Sequence, residues 1–263
     1  MHIKSVAVTV LLLLALLEIS GCSRTHKEPA VSVAAAADLK FALDEIIVAF
    51  QHRHPDIQVG VTYGASGTFY AQLSNHAPFD LFFSADMAYP HRLIEQGFAA
   101  PDSAFIYAVG HLVVWVPRKS HLDFEKEGLQ ALLNPAVRTI AIANPRHAPY
   151  GRAAEAALKS AGVYEKVQQR LVYGENVAQT AQFVQTGSAD VGLIALSLAL
   201  DPALAAWGRT WEIPVDTYPR MEQGGLILSW AKDRRTAEAL RDFMLGEQGK
   251  PILRRYGFSL PEK

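Results

Sequence analysis

The chain of 263 residues contains a single cysteine, Cys22, so it cannot be stapled by an internal disulfide. Lysine and arginine are scattered without a long basic run, and the formal charge is −1. Nucleic acid and anionic membrane surfaces are therefore not expected partners. Low-complexity sequence and internal repeats are also missing. One apolar run stands out, residues 6–17, and it is too short to cross a bilayer as a permanent helix. With Lys4 ahead of it, the run has the form of a secretory h-region, and residues 1–21 read as a signal peptide.

Ile19-Ser20-Gly21-Cys22 closes that segment and resembles a bacterial lipobox, in which Cys22 is lipidated and becomes the first mature residue. The plainer alternative is cleavage at small residues beside an incidental cysteine. Residues 22–29 are polar and read as a flexible tether. The remaining residues, from 30 onward, are enough for one large domain or two small ones.

Strand-like and helix-like segments alternate along the rest. Residues 31–34 are strand-like, and 38–51 predict a helix in which Leu39, Ala42, Leu43, Ile46, Ile47 and Phe50 share one face. Strands are expected at 57–63, 80–84, 112–117, 139–143, 171–173, 189–195 and 225–231. Helices are expected at 68–74, 88–96, 129–133, 151–161, 177–186, 237–245 and 249–256, with Gly97 and Gly162 as stops. Such alternation points to parallel βαβ units in an α/β fold, and the pattern occurs twice, as two lobes with a cleft between them. Ligands of such sheets sit beyond the carboxyl ends of the strands.

The turns at those ends are AAAAD (34–38), YGASGT (63–68), NPRHAPYG (144–151) and GENVAQ (174–179). None contains lysine and only one contains arginine. Each opens a helix, whose first N–H groups have no intrahelical partner and favour an anion. Hydroxyls of Ser66, Thr68 and Tyr150 are further donors. Taken singly, each is more often a plain turn. Four such turns over two lobes suit an uncharged anion cradle better.

Six segments, VSVAAAADLKFALDEI, YGASGTFYAQL, APFDLFFSAD, NPRHAPYGRAAEAAL, GENVAQTAQFVQTGSADVGLIALS and RRYGFSLP, resemble successive blocks of the periplasmic molybdate-binding proteins of ABC importers. The resemblance spans residues 31–261. It implies a two-lobed type II periplasmic-binding-protein-like α/β fold, each lobe a mixed sheet flanked by helices. A tetrahedral oxyanion, molybdate or tungstate, would lie in the interlobe cleft. Residues 30–110 and 220–263 are expected to form lobe 1, and 111–219 lobe 2, with hinge crossings near 108–112 and 215–222. The resemblance places ligand-binding positions at Ala37, Asp38, Ser66, Tyr150 and Val177. The molybdenum-bearing oxyanion would be held by Ser66 through hydroxyl and amide, and by Tyr150 and Val177 through backbone N–H. No cofactor and no catalysis are implied. The implied partner is a membrane permease, with membrane contact only through lipid on Cys22, and the protein is expected to be an extracytoplasmic monomer.

The chain departs from the family pattern in three places. Ala37 stands where a Ser or Thr hydroxyl is usual, and Ala195 where some members have a ligand tyrosine. Asp38 is expected to turn away and cap its own helix. The alternative is that it accepts a proton, favouring protonated oxyanions such as hydrogen phosphate. Arg146 and Arg152 are expected to face solvent. Other readings are a binding protein for sulfate, phosphate or a small carboxylate, and a serine hydrolase. The last is disfavoured because Gly64-Ala65-Ser66-Gly67 breaks the G-x-S-x-G spacing and no activating histidine can be assigned.

Overall fold

The computed structural model of the protein describes residues 29–261. Cys22 and the signal peptide read over 1–21 lie outside the described residues, as does all of the tether except Pro29. In chain order the main elements are β1 (Val31–Ala36), α1 (Lys40–Arg53), β2 (Val59–Gly64), α2 (Ser66–Leu73), β3 (Leu81–Ser84), α3 (Ala88–Glu95) and β4 (Phe105–Gly110). Next come β5 (Leu112–Pro117), β6 (Ile140–Ala143), α4 (Pro149–Ser160), β7 (Leu171–Gly174), α5 (Val177–Gln185), β8 (Val191–Ala195) and α6 (Leu196–Ala199). The chain ends with β9 (Gly208–Glu212), β10 (Met221–Ile227), α7 (Arg234–Leu245) and α8 (Gly249–Arg255).

Two five-stranded sheets result, in the orders β2-β1-β3-β10-β4 and β7-β6-β8-β5-β9. In each, the three leading strands pair in parallel, and the strand beside them runs antiparallel. That antiparallel strand follows a crossing of the chain. β4 passes to β5 through His111 alone, and the chain returns from the second sheet between β9 and β10. The fold is therefore α/β with two mixed sheets flanked by helices.

Period-two alternation builds a core on both faces of the first sheet. Leu81 and Phe83 of β3 pack with Leu43, Ile46 and Phe50 of α1 and Leu240 of α7, whereas Phe82 packs with Phe69, Leu73 and Leu93 on the other face. The second sheet has its own core, with Trp115, Ile142, Leu158 and Leu193.

Three expectations shift. The strand expected at 225–231 is β10, Met221–Ile227, with a register shift between Gln223 and Gly224. Gly224 and Gly225 are needed there because a Cβ would meet the Phe105 carbonyl oxygen at 2.3 Å and that of Phe82 at 2.2 Å, respectively. The helix expected from Thr68 begins at Ser66, which brings Ser66 into its first turn. Before α1 stands a 3-10 turn, Ala37–Leu39, containing Asp38.

Candidate functional site

The carboxyl ends of β1, β2, β6 and β7 face one small cavity, and all five expected positions line it. Ala37, Asp38 and Ser66 come from the first sheet's side, and Tyr150 and Val177 from the second's, with Asn176 and Pro149 beside them. The cavity is small, with room for about one water molecule as it stands. Asp38, Ser66, Tyr150 and Val177 are each under 5% exposed, so a guest would be enclosed.

Local sequence decides which donors are free. Pro149 opens α4 without an N–H, while the Gly151 and Arg152 N–H groups bond to the Ala148 carbonyl. The first N–H of that helix left for a guest is Tyr150's. At α5, Asn176 Oδ1 accepts from the N–H groups of Ala178 and Gln179, each at 3.0 Å. The Thr180 N–H bonds to the Asn176 carbonyl, which leaves the Val177 N–H at the cavity wall. Ser66 Oγ accepts from the Ala85 N–H at 3.0 Å, so its own proton is available to donate.

Asp38 does not cap its helix, contrary to expectation: no side chain caps either the 3-10 turn or α1. The turn instead faces the carboxyl inward, where Asp38 Oδ2 accepts from Gln223 Nε2 at 2.7 Å. Asp38 Oδ1 is buried without a hydrogen-bond partner. Gln223 Nε2 also donates to Tyr150 Oη at 3.1 Å, and Gln223 Oε1 accepts from Tyr107 Oη at 3.0 Å. Burial pushes the Asp38 carboxyl up to about 6, with the hydrogen bond from Gln223 the largest effect opposing the rise. Burial, then the Asp38 charge, raises the Tyr107 and Tyr150 hydroxyls well above their ordinary value, so both stay neutral.

Bonds between the two sides hold the cavity shut. The Gly67 N–H donates to the His147 carbonyl at 2.8 Å, and Ser197 Oγ donates to the Asp38 carbonyl at 2.7 Å. Arg152, expected to face solvent, is half-exposed and pairs with Asp86 at 2.5 Å while donating to Tyr89 Oη at 3.1 Å. Sequence reasoning passed over Gln223, Tyr107, Ser197 and the Arg152–Asp86 pair. Gln223, just ahead of the apolar run 224–228, was the one signal for them. Among the described residues no helix is long and apolar enough to cross a membrane.

Two lobes closing on a buried cavity lined by helix N-termini define a solute-binding protein. The sequence matches the bacterial extracellular solute-binding protein family over residues 31–259, and the chain belongs to that family. It is 35% identical over 230 residues to the molybdate-binding protein ModA of Azotobacter vinelandii, covering 88% of this chain and 90% of that one. It is 36% identical over 200 residues to ModA of Rhodobacter capsulatus, covering 76% and 77%. The solved structure of the Azotobacter vinelandii periplasmic molybdate-binding protein superposes with a TM-score of 0.82 at 32% identity, covering 88% of this chain and all of that one.

Proposed function

We propose that the protein captures molybdate or tungstate between its lobes outside the cytoplasm and hands it to the permease of an ABC importer. Residues 30–110 and 220–263 form one lobe and 111–219 the other, and Cys22 carries a lipid anchor. The observation that carries this reading is the donor set: Ser66 Oγ and the N–H groups of Tyr150 and Val177 converge on one enclosed cavity that contains no lysine or arginine. Hydrogen bonds to a charged guest contribute about 1.5–3 kcal/mol each, so a handful hold a small anion without a countercharge. The relatives are named as binding proteins, and here the guest is held without being transformed. Ser66 is not set up as a nucleophile: its Oγ accepts from the Ala85 N–H, and among the described residues no bond joins it to a base.

The reading also sets a cost. Unit charges 4 Å apart repel by about 4 kcal/mol at an effective dielectric of 20, so an ionised Asp38 opposes any anion beside it. Thermal melting with molybdate, tungstate, sulfate, phosphate and a small dicarboxylate at equal ionic strength tests the assignment. A guest at about 100 times its Kd adds about 2.7 kcal/mol, which for a chain of this size raises the midpoint by roughly 5–11 °C. The expected shift is with molybdate and tungstate. A shift with phosphate or sulfate alone replaces the ligand and keeps the site, and no shift with any oxyanion removes it.

A further inference from the structure

Asp38 is an unusual group to find on the wall of an anion cavity. It is 1% exposed, it lines the cavity, and its Oδ1 has no hydrogen-bond partner. Ala37 beside it has no hydroxyl to donate. No cation answers the carboxylate from the elements packed around its turn. On α1, Lys40 pairs with Asp44 at the exposed surface, and α5 and α6 carry no charged side chain. On α4, Arg152 is engaged by Asp86, and on β10, Glu222 pairs with Arg220. The groups around Asp38 are the Gln223 amide, which is itself bonded to the Tyr107 and Tyr150 hydroxyls, and, at the Asp38 carbonyl, Ser197. All are neutral.

Resting on the reading of this cavity as an oxyanion site, we propose that the protein binds a fully deprotonated dianion together with one proton, held between Asp38 Oδ1 and an oxygen of the guest. In the acid form Oδ1–H is a donor, supplied from the turn where Ala37 lacks one, while Oδ2 keeps its bond from Gln223. A buried carboxylic acid held neutral is a recognised way to present a donor to negative oxygen. The proton comes from solvent on capture and returns on release, and no other bond changes. Burial has raised the carboxyl only to about 6, so at neutral pH the empty site is mostly ionised and the guest must draw the proton in. Affinity for a dianion that does not itself titrate is therefore full below about pH 6 and falls by about tenfold per pH unit above it. A guest such as hydrogen phosphate already carries the proton and takes up none.

Calorimetric titration of the purified protein with molybdate near about pH 7.5, in two buffers of different ionisation enthalpy, counts the protons taken up. Close to one per molybdate is expected from the parent protein, a measurement that needs no variant. Asp38→Asn keeps the shape and an acceptor for Gln223. It is expected to bind with no proton uptake and a nearly flat pH profile, at least about tenfold more tightly than the parent near pH 8. Molybdate bound by the parent without proton uptake, or an uptake that persists in Asp38→Asn, overturns the inference and leaves the oxyanion site standing. Absence of molybdate binding by both proteins across the pH range overturns the oxyanion reading itself, and this inference with it.

Discussion

The groups proposed to meet a guest on the first sheet's side of the cavity include side chains, the Ser66 hydroxyl and the Asp38 carboxyl, beside the Ser66 N–H that opens α2. On the second sheet's side they are backbone N–H groups, fixed by the first turns of α4 and α5. The two kinds of wall differ in how sequence can change them. A backbone donor at a helix N-terminus is set by the helix and is nearly indifferent to the side chain it belongs to. A side-chain donor is exchanged by one substitution, as Ala37 illustrates. General attraction for an anion thus comes from helix N-termini on both walls, and side-chain discrimination mostly from the first.

The largest effect is expected from keeping the walls apart. A Cβ on Gly67 would lie 2.7 Å from the His147 carbonyl oxygen and 2.9 Å from its Cα, across the cleft. Gly67→Val is expected to weaken oxyanion binding by about 100-fold or more, roughly 2.7 kcal/mol, while each sheet stays folded. Small-angle scattering should then show no compaction on adding ligand, and compaction like the parent's would mean that closure does not pass through this contact. Next, Ser66→Ala removes a charge-assisted donor and is expected to cost about 10- to 100-fold in Kd by calorimetry. It also strands the Ala85 N–H, so the melting midpoint should fall slightly. Arg152→Ala breaks a half-exposed ion pair, 40% and 31% exposed, and should cost only about twofold to threefold. That difference should vanish in about 1 M salt. The smallest effect is expected from Val177→Ala, whose donor is backbone: affinity within about twofold, despite some loss of packing. If Val177→Ala costs as much affinity as Ser66→Ala, the division between the walls is wrong.

Much of this arrangement is legible in the sequence, for identifiable reasons. Buried parallel strands such as Ile140–Ala143 and Val191–Ala195 are nearly continuous apolar runs, and α1 shows its buried face at helical spacing. The strand-to-helix turns carry the five expected positions because topology sends those turns to one place. The two strands left unread, Phe105–Gly110 and Gly208–Glu212, are edge strands of their sheets, and the second is polar and largely exposed. Pairing with one neighbour places them, and pairing leaves little trace in a side-chain pattern. Gly224-Gly225 resembles a turn and hides the start of β10, although the glycines are there to let Phe82 and Phe105 approach. The fate of Asp38 was unreadable for a different reason. Its partners Gln223, Tyr150 and Ser197 lie 185, 112 and 159 positions further along the chain, and no local rule connects them.

The bonds that cross the cleft, Gly67 to His147 and Gln223 to Tyr150, also bear on how the cargo is let go. In the proposed site both lobes supply donors, which makes it a bivalent clamp. Either jaw alone is a weak site in which water competes for every donor, and closure supplies the second jaw at a high effective concentration. A transporter that draws the jaws apart needs no recognition of the anion at all. Dividing the clamp turns one tight site into two leaky ones, and the cargo departs by dilution.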